Sequence, residues 1–357
     1  MNNTRTLLTT LLAAPVLLAL TLPVDEVAFG PEAGSSVTRV YTSNNQFSLD
    51  EMEMSMNGQP MPMDLEMSMD MSMDLTIEVT DTFVAVSDGR PDKLQRTYDA
   101  LGTEAHFSME MSMMPDGGQD KNISSSSDLE GKTVLFTWDD EEGEYGVEYH
   151  ESEGDEELLE GLTEDMDFRA LLPEGGVSVG DTWEIDPKAL ISVLFPGGNT
   201  GLVPEEEGGS EEMMPGMDGM GANISDMLGD LLEGEASAEY MGTEDVDGTT
   251  VAVIHFTISI ASSNDMTEIV EESMGDLPEG SPEISINYVD VEIEMEGEGT
   301  LQWDLAANRM HSYESQGSMN TLMDMGMGVS MGDNEMEMEQ SMEMSGTFAS
   351  SMTVEAN

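Results

Sequence analysis

Apolar and polar residues alternate with a period of two along residues 61–79. Met, Leu, Ile and Val occupy the odd positions, whereas Asp, Glu, Ser and Thr dominate the even positions. A strand places alternate residues on opposite faces, but a helix would scatter this pattern around its axis. The pattern therefore predicts a strand much longer than the usual length of about 3–10 residues. Strands of this length are typical of barrels and half-barrels.

Neighbouring segments repeat the alternation and are separated by turn residues. Residues 37–56 also alternate, and their apolar positions change parity at Asp50-Glu51, which predicts a β-bulge. Asn57-Gly58-Gln59-Pro60 is expected to close a hairpin. Near the C-terminus, the odd positions of 319–331 and the even positions of 336–354 are mainly apolar. These two runs predict a second pair of long strands.

Ordinary β-forming residues predict further strands, and short apolar runs at helical spacing predict a few helices. The additional strands are expected at 105–113, 134–138, 182–185, 251–260, 284–295 and 301–305. The helices are expected at 155–162, from Thr163 towards Leu172, at 187–195 behind an Asp186 N-cap, and at 224–232. Residues 196–222 are rich in Gly, Glu and Met without a period, which predicts a mobile loop.

These patterns together predict a mainly β (α+β) fold. We expect a large curved antiparallel sheet or open half-barrel with a few short covering helices. No shift in composition marks a second domain, so residues 31–357 are expected to form one β-rich domain.

Residues 1–30 are expected to contain a signal peptide and a short N-terminal segment. Arg5 precedes an apolar run from Leu7 to Leu22, which is typical of a secretory signal. The run contains Pro15 and is short for a membrane span of about 20 residues. We therefore expect cleavage somewhere within 19–31, export to the periplasm or the extracellular space, and no stable membrane span in the mature chain.

Composition excludes several classes of protein. The chain has 10 basic and 75 acidic residues and a net charge of −65. Nucleic acid is therefore excluded as a partner, because phosphate contacts need clusters of Lys and Arg. The absence of Cys excludes disulfides, thiolate metal sites and cysteine nucleophiles. The acidity itself indicates either adaptation to high salt, which we favour, or a dedicated cation-binding surface.

No pattern in the chain predicts catalysis. The nucleophile elbow, the zinc-binding helix motif and the phosphate-binding loop are all missing from the sequence. All four histidines are expected to lie on the surface: His106, His150, His255 and His311. Of these, His106 and His255 lie on the polar sides of their predicted strands. We therefore expect a protein that is not an enzyme and that requires no cofactor.

The unusual feature of the composition is the 35 methionines, most of which lie in the alternating strands. They have three interpretations: an ordinary core, an adaptable apolar cavity, or capture of Cu(I) by thioethers. Along one strand, alternate sulfurs are about 7 Å apart, so a copper site would need methionines from neighbouring strands. The predicted cavity residues are Met52, Met54, Met61, Met63, Met67, Met69, Met71, Met73, Met109, Met111, Met323, Met325, Met327, Met336, Met338, Met342 and Met344.

Two segments carry a resemblance to known proteins. Leu171–Trp183, with its LP…V.VGDTW phrase, and Gly299–Met310 resemble uncharacterised exported proteins of planctomycete-type bacteria. The long alternating strands are similar in architecture to the open β-barrels of periplasmic lipoprotein carriers. The first resemblance implies a cell-envelope protein, and the second implies helices that cover a half-barrel with an apolar cavity.

The favoured function is therefore that of an exported, non-enzymatic envelope protein. It is expected to bind an apolar small molecule or lipid in a methionine-lined interior. The alternative is a structural or solubility-adapted envelope protein without a ligand, and the third possibility is a Cu(I)-binding protein.

Overall fold

One antiparallel sheet dominates the computed structural model, which describes residues 25–60, 67–87, 89–111, 118–204, 232–267, 270, 283–331 and 334–357. The described strands are β1 Ser36–Met56, β2 Gln59–Pro60, β3 Met67–Ser87, β4 Arg90–Met111, β5 Gly118–Ser126, β6 Thr133–Asp139, β7 Glu144–Tyr149, β8 Thr182–Ile185, β9 Val203–Pro204, β10 Gly234–Val246, β11 Thr249–Asp265, β12 Glu283–Asp304, β13 Arg309–Met331 and β14 Asn334–Ala356.

The sheet is open, and its strand order is β7-β6-β4-β3-β1-β14-β13-β12-β11-β10-β8. Strand β2 pairs with the end of β1, and β5 pairs with both β4 and β9. The predicted mainly β fold, with one large antiparallel sheet and few short helices, is confirmed. The first and last long strands, β1 and β14, pair with each other, so the two ends of the described chain meet in the middle of the sheet.

Turn and bulge residues set the lengths and registers of the long strands. Asn57 and Gly58 both have positive φ, of 51° and 70°, and form a two-residue turn, whereas Gln59 and Pro60 of the predicted four-residue turn form strand β2. The pairing of β1 with β14 shifts between Leu49 and Glu51, which confirms the predicted bulge. The two strands predicted at 284–295 and 301–305 are one continuous strand, β12. Glycines in the intervening segment disfavour a strand locally, but pairing with β11 and β13 on both sides outweighs that preference.

The described helices are short. Two of the predicted helices are single 3₁₀ turns, at Glu156–Leu159 and Arg169–Leu171. A third turn, Pro187–Leu190, continues into the α-helix α1, Ile191–Leu194. Its predicted cap is confirmed, because the Asp186 side chain accepts a hydrogen bond from the backbone of Lys188 at 3.0 Å. In the described part of the chain, no helix has the length and apolarity needed to cross a membrane.

Other predictions fall on segments that the structure does not describe. These include the signal peptide, the part of the predicted loop from 205 to 222, and most of the predicted helix at 224–232. Leu232, the last residue of that helix, is described and is buried in the core.

The core lies against one end of the sheet's apolar face, and we call this region the covered end. Residues 25–34, the irregular segment around Phe168 and helix α1 lie over the sheet there. Phe29 from the N-terminal segment contacts Phe83 edge to face, with 5.8 Å between ring centroids. The largest fully buried apolar side chains are those of Phe83, Tyr98, Phe136, Phe168, Tyr240, Phe256 and Trp303.

Candidate functional site

Six strands, β1, β3, β4, β12, β13 and β14, continue past the covered end, and methionines occupy many of their apolar positions. We call the half-buried set contributed by β1, β3, β4, β13 and β14 the methionine face. It consists of Met52, Met54, Met56, Met69, Met71, Met73, Met109, Met323, Met325, Met327, Met336, Met338, Met342 and Met344. By comparison, fewer of the described methionines are buried in the core: Met166, Met266, Met295, Met310 and Met352.

Most of the predicted cavity residues therefore lie on one side of neighbouring strands. Met61 and Met63 lie outside the described residues. Met67 and Met111 pair with each other in β3 and β4, next to the Met69–Met109 pair. The predicted binding of a ligand by this set stays a prediction.

The registers of β1, β14 and β13 place methionines directly opposite one another across three strands. Side chains at such positions have Cβ atoms about 4.5–5.5 Å apart and contact each other. We name each row after its central residue in β14: the 342 row is Met52–Met342–Met323, the 340 row is Met54–Gln340–Met325, and the 338 row is Met56–Met338–Met327. Two rows thus consist only of methionine, and the row between them has an amide at its centre.

One edge of the methionine face is covered by a small second cluster. Met266, Ile286 and Val289 are buried there. The half-buried residues that pack against them are Val270, Val291, Met323, Met325 and Met327. The face is therefore continuous with packed apolar residues at its β12 side, and its methionines are neither fully buried nor fully exposed.

The opposite face of the same strands is polar and carries broad grooves. The one of about 700 Å³ crosses five strands from Asn44 in β1 to Thr257 in β11. Another, of about 470 Å³, is bordered mainly by hydroxyl, amide and carboxylate residues together with His106. His106 is exposed, and its Nδ1 atom lies 3.0 Å from the Asn122 side-chain oxygen. Among the described residues, no cluster of His, Asp and Glu could hold a metal ion.

A buried ion-pair network at the covered end was not predicted from the sequence. Arg39 donates hydrogen bonds to Asp81 at 2.6 Å and to Asp167 at 2.7 Å. Arg96 donates two more to Asp81, at 2.7 and 2.9 Å. All four side chains are almost completely buried. The network joins β1, β3 and β4 to the irregular segment that covers the core.

The second half of this network surrounds Glu164. Arg169 pairs with Glu164 and also with Asp165, the latter at 3.2 Å. Burial is the largest influence on Glu164 and raises the pKa of its carboxyl group to about 7, although Arg169 opposes that shift.

This network has a structural role. Arg96 also donates hydrogen bonds to the backbone carbonyls of Thr163 and Glu164, at 2.9 and 2.8 Å, which ties β4 to the covering segment. A sequence signal could have identified two of its members. Arg39 stands between Val37 and Tyr41 on the apolar side of β1, where a charged residue needs a buried partner, and Arg96 has the same position in β4.

Comparisons with known proteins identify no family. No family model and no curated protein matches the chain. Among solved structures, the outer membrane protein OprG from Pseudomonas aeruginosa aligns at 8% identity and a TM-score of 0.19, over 90% of this chain and 97% of that chain. An outer membrane channel from Pseudomonas putida F1 aligns over the same shares at 8% identity and a TM-score of 0.16. Scores this low carry no conclusion about the fold or function of this chain.

Proposed function

We propose that this chain is an exported, non-enzymatic protein of the cell envelope that binds apolar, lipid-like molecules on the methionine face. The observation that carries the proposal is the segregation of methionine. The core is built mainly from aromatic and branched side chains, whereas most of the described methionines line a half-buried face beyond it. Contiguous accessible apolar surface of this kind is typical of interaction sites.

Methionine suits a surface that must adapt to its ligand. Its unbranched side chain has several rotatable bonds and a polarizable sulfur, so it can repack around molecules of different shapes. The same flexibility makes it a poor choice where packing must be unique, as in a core. In β13, the segment from Met319 to Met331 spans about 40 Å at about 3.4 Å per residue, which is long enough to accommodate an extended acyl chain.

Export is supported by the apolar run at residues 7–22 and by the resemblance to exported proteins. The first described residues belong to the fold, because Val27 and Phe29 are buried and Asp25 accepts a 2.7 Å hydrogen bond from the Tyr240 hydroxyl. Under this proposal, cleavage within the expected window of 19–31 occurs before Asp25, since a later cut would remove the Asp25 partner of Tyr240 and, beyond Glu26, the buried Val27 and Phe29.

A fluorescent fatty-acid probe tests the proposal. We expect the parent protein to bind the probe and to release it when unlabelled lipid is added. The double variant Met338→Gln/Met342→Gln should bind at least about tenfold more weakly, because two amides would have to be desolvated against the acyl chain. The matched control, Glu339→Gln/Glu343→Gln, alters the polar face of the same strand and should bind like the parent.

Two results would contradict ligand binding. If the parent does not bind the probe, the alternative of a structural envelope protein without a ligand is favoured. If the methionine and glutamate variants weaken binding equally, the probe does not bind at the methionine face.

A further inference from the structure

We propose that the 342 row and the 338 row each bind one soft monovalent metal ion, Cu(I) or Ag(I), through three thioether sulfurs. This inference is independent of lipid binding, because it depends on the sulfur atoms and not on the apolar area of the face. It rests on the pairing of three strands, which brings together residues from opposite ends of the chain.

The cross-strand geometry removes the obstacle that spacing along a single strand presents. Alternate residues of one strand are about 7 Å apart, but directly paired residues of adjacent strands have Cβ atoms about 4.5–5.5 Å apart. In the 342 row, Met52 and Met323 flank Met342 on either side, so each outer side chain has to lean across only one strand. The rotatable bonds of methionine allow its sulfur to do so.

The chemistry of the ligands selects the ion. Neutral thioethers are soft donors that favour Cu(I) and disfavour hard ions such as Mg²⁺ and Ca²⁺. A thioether has no proton to lose, so metal binding should vary little between pH 6 and pH 8, unlike binding by carboxylate or imidazole. The net charge of −65 raises the local concentration of cations of any kind. Selectivity for soft ions therefore has to come from the sulfurs.

The 340 row of the methionine face is an internal control for the two rows that consist only of methionine. In the 340 row, the central position between Met54 and Met325 is Gln340, which has no sulfur. This row separates the other two, whose centres, Met338 and Met342, are four residues and about 13 Å apart along the strand. The proposal therefore predicts two separate ions in the parent and none centred on Gln340.

Anaerobic native mass spectrometry with Ag(I), together with competition for Cu(I) against a chromogenic chelator, tests this assignment. We expect two ions in the parent and one in Met342→Leu or Met338→Leu, with at least about a tenfold loss of affinity at the altered row. The double leucine variant should bind neither ion. Gln340→Leu is the matched control in the same strand and should keep both, whereas Gln340→Met should gain a third.

The outcomes separate this proposal from lipid binding. Leucine preserves the apolar area, so the double leucine variant should still bind the fatty-acid probe. Loss of the metal with retention of the probe supports both proposals. Failure of the parent to bind Cu(I) or Ag(I), or leucine variants with unchanged stoichiometry and affinity, would overturn the metal sites and leave lipid binding to be judged by the probe.

Discussion

Asp81 shows how much of the covered end depends on one residue. Its carboxylate accepts hydrogen bonds from both Arg39 and Arg96, and both guanidinium groups lie in the core. A buried ion pair adds little compared with a well-packed apolar pair, but removal of one partner leaves a buried charge without compensation. At Asp81, one substitution would take a carboxylate partner from two buried arginines at once, and only Arg39 would keep another, Asp167.

We therefore expect Asp81→Asn to lower the free energy of unfolding by about 3–5 kcal/mol. Chemical denaturation followed by tryptophan fluorescence measures this change. The matched control is Asp74→Asn, an exposed aspartate of the same strand, which should change stability by less than about 0.5 kcal/mol. Equal effects of the two substitutions would contradict a central role for the network.

Glu164 makes the stability of the covered end depend on pH. Its pKa is about 7 in the folded chain, against an ordinary value of 4.5, so the folded state retains a proton that the unfolded state releases between these values. A group that binds its proton more tightly when folded loses its stabilising contribution as pH rises through that window. The contribution is thus fully present below about pH 4.5 and lost above about pH 7.

Glu164→Gln should remove this part of the pH dependence. Between pH 5 and pH 8, the stability of the variant relative to the parent should rise by about 2–3 kcal/mol, since one pKa unit corresponds to about 1.4 kcal/mol. Urea denaturation at both pH values measures the difference. Glu160→Gln, at an exposed position nearby, is the control and should follow the parent. A Glu164→Gln variant with the parent's pH dependence would refute the assignment.

At the scale of the elements, glycines and aromatic rings determine how closely the central strands approach one another. Gly317 in β13 lies beneath the ring of Phe348 in β14, and a Cβ atom at that position would collide with the ring and with the carbonyl oxygen of Glu296. Gly299 in β12 has the same relation to Phe256. These glycines interrupt the apolar alternation in the sequence because an aromatic ring from the neighbouring strand occupies the space where their side chains would lie.

We expect Gly317→Ala to destabilise the fold by about 1–3 kcal/mol, because Phe348 and the facing backbone would have to move. Thermal and denaturant unfolding measure the cost. Gly146→Ala in the edge strand β7 is the control, since its Cβ would lie 3.7 Å from the carbonyl oxygen of Thr137, an ordinary contact. If both glycines tolerate alanine equally, the close approach at Phe348 does not determine the packing.

For the whole molecule, the dominant quantity is the net charge of −65. Repulsion among so many carboxylates opposes the compact state, and salt screens it, because the Debye length falls from about 30 Å at 0.01 M to about 3 Å at 1 M. The melting temperature should therefore rise as NaCl is increased over this range. Differential scanning calorimetry provides the measurement. A midpoint that stays constant or falls would show that self-repulsion does not limit stability.

Local sequence patterns alone predicted many of the strands, turns and caps of this protein. Period-two alternation assigns each residue of a strand to one face without knowledge of its neighbours, so the membership of the methionine face was predictable. The bulge at Asp50-Glu51 and the Asp186 cap depend on residues adjacent in sequence, and both are confirmed. The turn predicted at residues 57–60 is confirmed at Asn57 and Gly58, whereas Gln59 and Pro60 belong to β2.

Only the tertiary structure decided which of these residues meet. The 342 row exists because β1 and β14 pair, which brings Met52 beside Met342 in a register that no local pattern determines. The buried network joins Arg39 to Asp167, 128 residues away in sequence. With 75 acidic residues in the chain, composition could not indicate which carboxylates would be buried. Strand faces follow from the alternation of side chains, but rows and ion pairs follow from long-range register and burial.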